Sequence, residues 1–315
     1  MSINTSVSPI CELSILLPTF HDDCFELVSK LERQAAAING LTFEIIVGDD
    51  GSTRSDVLAS NRRINQLEHC KFIERGKNAG RAAIRNFLAQ TARFENLLFI
   101  DSDMRLYSDR FIHHYLKCMP SPVVYGAYTV PHPSPALMRN LRYIYEWRSE
   151  NSRRSEMRQQ HPHRDFHTSN FLIRRDIMLT YPFDERFRHY GYEDVFFGRV
   201  LQEAGIGITH IDNPLLFDNF ESNADFLSKT EEALHTLSVF RTELKGYSPL
   251  LSAAERINKW HLSGMVGSLH ALIGGMIRKR LTKSKPSLLL FKIYKLGYLC
   301  RLMREDGLKE RKVTN

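Results

Sequence analysis

Three short apolar runs, each closing on polar or acidic residues, constrain this chain more than any other feature. Residues 13–17 (LSILL) run into Pro18 and Thr19, residues 43–48 (FEIIVG) into Asp49, Asp50, Gly51 and Ser52, and residues 96–100 (NLLFI) into Asp101, Ser102 and Asp103. Apolar runs of this length without polar alternation predict strands buried on both faces. The first is expected to stop at Pro18, where proline removes a ladder donor. Between the first two, residues 23–38 carry Leu27, Val28 and Leu31 at helical spacing. Between the second and third lie a short strand at 71–74 and a helix at 80–91. Strands alternating with helices predict an α/β fold, with a mainly parallel sheet covered by helices on both faces. In such sheets ligands sit beyond the carboxyl ends of the strands, where these three polar groups stand.

Further along, residues 136–168 are rich in Arg, His, Gln and Ser with Tyr143, Tyr145 and Trp147 among them. They read as a helix followed by a mobile loop, either a lid or a solvated surface. A strand at 171–174, a helix from Glu193 to about Ala204 and an amphipathic helix at 224–244 complete the first part. The expected division is a catalytic domain over residues 1–250 and a helical tail over 251–315.

Charge separates the two parts. Residues 278–315 hold 12 Lys/Arg against 3 Asp/Glu, a net +9, while residues 1–277 come to −2. The five cysteines, Cys11, Cys24, Cys70, Cys118 and Cys300, form no CxxC pair, which argues against a zinc site or disulfide framework. Residues 1–14 lack the basic and apolar segments of a signal peptide, so the expected location is cytoplasmic.

Asp101 and Asp103, two residues apart beyond a buried strand, can converge on one hard cation. Mg²⁺ and Mn²⁺ favour carboxylate oxygens and are completed by phosphates and water. Asp49-Asp50-Gly51-Ser52 suits either hydrogen bonding to a nucleobase or ribose, or an Asx turn. Asn78, Gly80 and Arg81 open a helix, with Arg85 and Asn86 one turn on, which offers backbone N–H groups and guanidinium to a diphosphate, or a simple cap. Glu193 and Asp194 follow a flexible Gly191 at a helix start, a carboxylate pair that suits either a general base within reach of an acceptor hydroxyl or acidic helix capping.

The order strand–PTF, strand–DDGS, NxG…RN, strand–DSD, SNF…GYED resembles family 2 glycosyltransferases with the Rossmann-like GT-A fold, over about residues 12–220. Residues 183–204 (FDERFRHYGYEDVFFGRVLQEA) are also similar to the acceptor half of galactosyltransferase-like members. The resemblance implies that Pro18, Thr19 and Asp50 line a nucleoside pocket and that Asn78, Gly80 and Arg85 lie near the diphosphate. It implies that Asp101 and Asp103 hold a Mn²⁺ or Mg²⁺ ion and the sugar nucleotide, with Asp103 the more direct ligand. Asn170 would sit by the donor sugar or acceptor, Asp194 would be the catalytic base, and Glu193 would position the acceptor. Many members carry a metal-binding histidine after the ED helix. Residues 213–220 (NPLLFDNF) have none, leaving Asp218 or water for the third position, and His210 nearby stands in an unsuitable register.

The implied activity is inverting transfer from a nucleotide-sugar, with UDP as the expected nucleotide, to a carbohydrate or lipid-linked acceptor in cell-surface polysaccharide or glycolipid synthesis. The alternative is a catalytically silent scaffold of the same fold in a polysaccharide assembly complex. A nucleotidyltransferase would want a glycine-rich basic phosphate loop near the N-terminus, which residues 18–25 do not supply. The tail, with apolar residues 260–277 followed by basic and apolar residues interleaved to about residue 312, suggests an interfacial helix on an anionic cytoplasmic leaflet. Packing on the protein is the alternative, and no nucleic-acid motif is present.

Overall fold

The computed structural model describes residues 11–150 and 154–313, with side chains through residue 305. It divides into two compact units. The first comprises residues 1–129, 153–188 and 200–218, and the second residues 130–152, 189–199 and 219–315.

The first unit begins β1 (Cys11–Thr19), α1 (Phe25–Ala36), β2 (Leu41–Asp49), α2 (Ser55–Arg62), β3 (Cys70–Glu74), α3 (Arg81–Thr91) and β4 (Asn96–Ile100). It continues through β5 (Arg105–Leu106), α4 (Phe111–Leu116), β6 (Val123–Tyr125) and β7 (Tyr128–Thr129). In the second unit lies α5 (Leu141–Arg148). The first then resumes with α6 (Ser155–Arg158), β8 (Asn170–Arg174) and α7 (Arg175–Thr180). Helix α8 (Glu193–Glu203) starts in the second unit, and β9 (Ile208–His210) and β10 (Leu215–Leu216) return to the first. The second unit closes with α9 (Asn223–Val239), α10 (Pro249–Lys259), α11 (Ser263–Leu281) and α12 (Leu288–Val313).

A seven-stranded sheet in the order β3-β2-β1-β4-β8-β6-β9 forms the centre of the first unit. All its pairs are parallel except those made by β8, which runs antiparallel to β4 and β6. This is the α/β arrangement with a mainly parallel sheet expected from the alternation of runs, of the GT-A type that the family resemblance implies, and helices α10 to α12 supply the C-terminal helical extension. A small sheet, β5-β10-β7, stands beside it. The uninterrupted apolar character of β1 and β4 follows from burial on both faces: Leu13, Ile15, Leu16 and Leu17, like Leu97 to Ile100, have no exposed surface. Each such side chain contributes about 1.5–3 kcal/mol of burial. Gly48 lets α3 seat on β2, since a Cβ there would lie 2.9 Å from Ile84 Cδ1.

β1 continues through Pro18 to Thr19 and does not stop at the proline. Thr19 turns its carbonyl to β2, accepting from Asp50 N at 2.9 Å, so Pro18 faces the β4 side. There pairing ends at Leu16, and the missing donor breaks no ladder bond. The buried polar pair Ser14 and Glu44 is satisfied: Ser14 Oγ donates to Glu44 Oε1 at 2.6 Å, and Arg93 donates from N and Nε to the two carboxylate oxygens. Glu44 is thus a structural carboxylate.

In the second unit, α5, α9, α11 and α12 share a core of Leu141, Phe226, Leu227, Leu281, Phe291 and Tyr294. α12, expected to lie on a membrane surface, gives Phe291 and Tyr294 to this core, while Leu289 and Ile293 on the same helix stay exposed. Lys295 of the same helix is drawn inward over the rings of Tyr145 and Phe291, at 4.8 and 4.6 Å. Burial pushes its ammonium pKa down to about 8. No described helix is long and apolar enough to cross a membrane.

Candidate functional site

The carboxyl ends of β1, β2, β3 and β4 share one edge of the parallel sheet, and β8 starts there because Asn170 pairs with Ile100. A hydrogen-bond chain links the loops at this edge. The Asp50 N–H donates to Thr19 O and the Arg75 N–H to Asp49 O at 3.0 Å. The buried Asp50 carboxylate accepts from Gly80 N at 2.8 Å, from Ala79 N at 3.1 Å and from Arg75 Nη1 at 3.2 Å. Asp50 therefore fixes the turn into α3, its carboxylate accepting from three protein donors. Gly51 belongs to the same device. Its φ is +82°, and a Cβ would sit 2.6 Å from Asn78 N.

Asp49 differs from Asp50 in how its two oxygens are used. Its Oδ2 accepts from Gly51 N and Ser52 N, an Asx turn. Its Oδ1 is buried without a protein partner, as are Ser169 Oγ and His21 Nδ1 on neighbouring loops. Buried polar atoms without partners are rare and expensive, and three of them stand on the loops at this edge. An adjacent-acid pair carries that signal only weakly, because a sequence does not reveal which acid the loop consumes.

Asp101 and Asp103 stand just past β4. Asp101 N–H donates to Ser169 O at 3.0 Å, and Met104 N–H returns to Asp101 O, closing a tight turn. The Asp101 carboxylate accepts from Arg85 Nη2 at 2.8 Å, with Arg85 only 1% exposed in α3 and Asp101 18%. Arg85 thus holds the acid rather than lying open to a diphosphate. Ser102 Oγ donates to Asp22 Oδ2 at 3.1 Å, tying the β4 turn to the β1 loop. Asn86 is likewise structural, exchanging hydrogen bonds with the Phe183 backbone at 2.9 Å. Of the remaining expected residues at this edge, Thr19 is buried with its hydroxyl on Asp22 O, Pro18 is half-buried, Asn78 is exposed, and Gly80 N-caps α3.

Asn170 opens β8 at this edge. It has no exposed surface. Its Oδ1 accepts from Tyr115 Oη at 2.5 Å, and its Nδ2 donates to Ala127 O and Asn213 O, both at 2.9 Å. The amide is consumed in pinning β8, α4 and the β6–β7 turn together. Asp218 is paired with Arg105 at 3.1 Å. His210 is held by Arg158 and Pro162. Among the described residues no group of three or more His, Cys, Asp and Glu could hold a metal ion. Asp101 and Asp103 alone still fit a hard divalent cation, because such ions are often carried on one or two carboxylates with phosphates and water completing the shell.

In the second unit, Tyr190 to Asp194 form the turn into α8. Gly191 and Tyr192 are both left-handed, at φ +94° and +71°, a strained conformation for tyrosine. The turn is clamped rather than flexible. Tyr190 N donates to Glu232, Thr236 Oγ1 donates to Tyr190 O, and a Cβ on Gly191 would meet Ala233 Cβ at 2.8 Å. Burial pushes the Tyr192 phenol well above its ordinary range, partly offset by its hydrogen bond with Ser248. Glu193 is buried, while Asp194 is half-buried and accepts from Val195 N at 2.8 Å.

The chain is similar to several known proteins. Chondroitin synthase of Pasteurella multocida is 24% identical over 241 residues, covering 65% of this chain and 24% of that protein. Dolichyl-phosphate beta-glucosyltransferase of Drosophila melanogaster is 30% identical over 105 residues, covering 30% of this chain and 32% of that protein. The chain spans about a quarter to a third of the length of these relatives. The mannosyltransferase PcManGT of Pyrobaculum calidifontis, solved with GDP-Man and Mn²⁺, superposes with a TM-score of 0.56 at 13% identity, over 93% of this chain and 87% of that one. The glycosyl transferase family 2 profile matches residues 14–181, more than half the chain, and the protein belongs to that family.

Proposed function

We propose that the protein is a metal-dependent, inverting glycosyltransferase that moves a sugar from a nucleotide-sugar, with UDP as the nucleotide, to a hydroxyl of a carbohydrate or lipid-linked acceptor. The observation that carries this reading is the Asp101-Ser102-Asp103 turn, braced by Arg85 at the carboxyl edge of the parallel sheet. The family membership, and PcManGT with its GDP-Man and Mn²⁺, point the same way.

Asp49, Thr19 and the turn fixed by Asp50 present a wall for the nucleoside, and the backbone from Asn78 to Gly80 meets the diphosphate. Asp101 and Asp103 would hold Mn²⁺ or Mg²⁺, which when bound neutralises charge developing on the departing diphosphate. Asp194 takes the proton of the acceptor hydroxyl, and Glu193 orients the acceptor. Attack on the face opposite the leaving group inverts the anomeric centre through an oxocarbenium-like transition state. Asn170 acts from beneath as a positioning residue for the β8 end. The chain serves cell-surface polysaccharide or glycolipid synthesis at the inner face of the membrane, attached peripherally through residues 260–312.

The test is nucleotide release by the purified protein with UDP-, GDP- and dTDP-sugars in the presence of Mn²⁺ or Mg²⁺. Metal-dependent release from one donor supports the reading. Binding of nucleotide without turnover, even with lipid extracts as acceptor, would favour a silent scaffold.

A further inference from the structure

Helix α11 carries an apolar ridge that its own unit leaves uncovered. Leu262 at its N-cap, then Met265, Leu269, Leu272, Ile273 and Met276, are all exposed, Leu272 at 81% and Met276 at 71%. They recur at steps of three and four and so occupy one face. Trp260, 77% exposed, stands just before that end. The opposite face is committed. Gly267, His270, Gly274 and Leu281 are buried, and a Cβ on Gly267 would lie 3.0 Å from Arg301 Cα of α12. The ridge is therefore not a core face awaiting a partner within this packing; it extends about 21 Å along a helix already fully supported from behind.

The charge around the ridge selects its occupant. Residues 256–304 contain 11 Lys/Arg and no Asp or Glu. Arg280 continues the ridge line past Met276, and Lys279, Lys283 and Lys285 are exposed around the same end, whereas Arg278 is turned inward to Glu231 at 2.9 Å. A second copy docking through this face would bring the two cation-rich ends, each with Lys279, Arg280, Lys283 and Lys285, into one interface. An anionic lipid surface complements them. An apolar face with a tryptophan at one end and cations at the other is the pattern of a helix lying in the bilayer interface.

We infer that the Leu262–Met276 ridge of α11 lies in the plane of an anionic bilayer, with Lys279, Arg280, Lys283 and Lys285 on the headgroups. The inference rests on the proposed peripheral attachment and assigns it to one face: α11 enters the interface, while α12 packs behind it through Phe291, Tyr294 and the backbone at Arg301. α12 is the buttress and α11 the contact.

The experiment is co-sedimentation of the full-length protein with phosphatidylcholine vesicles with and without phosphatidylglycerol. Two variants are compared, Leu272→Ser with Met276→Ser, and Lys279→Gln with Arg280→Gln and Lys283→Gln. All five positions are exposed, and far-UV circular dichroism verifies folding. Wild type is expected on the anionic vesicles only. The ridge variant should bind about tenfold more weakly or worse. Each cation removed should weaken binding about fivefold, with strong salt dependence. Vesicle-free donor turnover should be unchanged in both variants, which separates this inference from the catalytic one. Unchanged vesicle binding by the ridge variant overturns the assignment even where attachment persists. So does wild-type protein that ignores anionic vesicles, and so does a soluble dimer that the ridge variant dissolves.

Discussion

Arg85, sealed inside α3, donates from Nη2 to Asp101 Oδ1 at 2.8 Å, so the first acid of the DSD turn is oriented by a cation that solvent does not reach. Removing that guanidinium would leave Asp101 without its brace at the edge of a packed core. Arg85→Met is expected to cost about 2–4 kcal/mol of stability and to lower metal-dependent donor turnover well beyond what the stability loss explains. Urea denaturation together with turnover measured where the variant is fully folded separates the two effects. Turnover equal to wild type would remove Arg85 from the site.

Asp50 gathers the N–H groups of Ala79 and Gly80 with the Arg75 guanidinium. Asp50→Asn keeps the shape but exchanges one charged acceptor oxygen for a donor. The expected cost is about 1–3 kcal/mol. Donor KM should rise more than kcat falls, because the disturbed element is the turn into α3. Steady-state kinetics with the donor varied read this directly; a change in kcat alone would point elsewhere.

Asp194 is the proposed base at the clamped turn into α8. Asp194→Asn should lower kcat by roughly 10²–10⁴, with nucleotide affinity, measured by calorimetry, unchanged. Loss of nucleotide affinity in this variant would show that its role is binding.

Acid stability follows from His210. Burial pushes its pKa down to about 4. Arg158 Nη1 donates to His210 Nδ1 at 2.7 Å, so Nε2 carries the proton and donates to Pro162 O at 2.8 Å. A second ring proton would have to stand against a guanidinium. The folded pKa is below the unfolded value of about 6.5, so the unfolded chain protonates first and stability is lost as pH falls from about 6.5 toward 4. The loss is on the order of 3 kcal/mol for this one ring. Urea midpoints at about pH 7 and about pH 4.5 measure it, and His210→Gln should flatten the pH slope between them.

The sheet was legible because its signal is compositional. A run such as NLLFI is apolar at every position only when both faces are covered, and β4 occupies those same five residues. Pro18 misled because the rule that proline ends a strand holds only where its missing donor faces a neighbour, and here β1–β4 pairing has already ended. The site was legible as a location and less so as an assignment. Asp49 and Asp50 are chemically identical in sequence; the turn decides that Asp50 is consumed by Ala79, Gly80 and Arg75 while Asp49 Oδ1 stays unpartnered. Asn170 is claimed by Tyr115 from 55 residues away, a contact no local pattern contains. Helices α11 and α12 both mix apolar and basic residues. Only packing determines that Phe291 and Tyr294 of α12 turn inward while Leu272 and Met276 of α11 stay outside.

The central claim, donor turnover dependent on a divalent ion at the DSD turn, is tested most directly by sugar-nucleotide turnover titrated with Mn²⁺ in wild type and in Asp103→Ala. The account predicts saturable Mn²⁺ activation in wild type, abolished by chelation, and in the variant a loss of turnover that added Mn²⁺ does not restore, with the fold intact. Full activity in Asp103→Ala, or wild-type turnover indifferent to chelation, would contradict it.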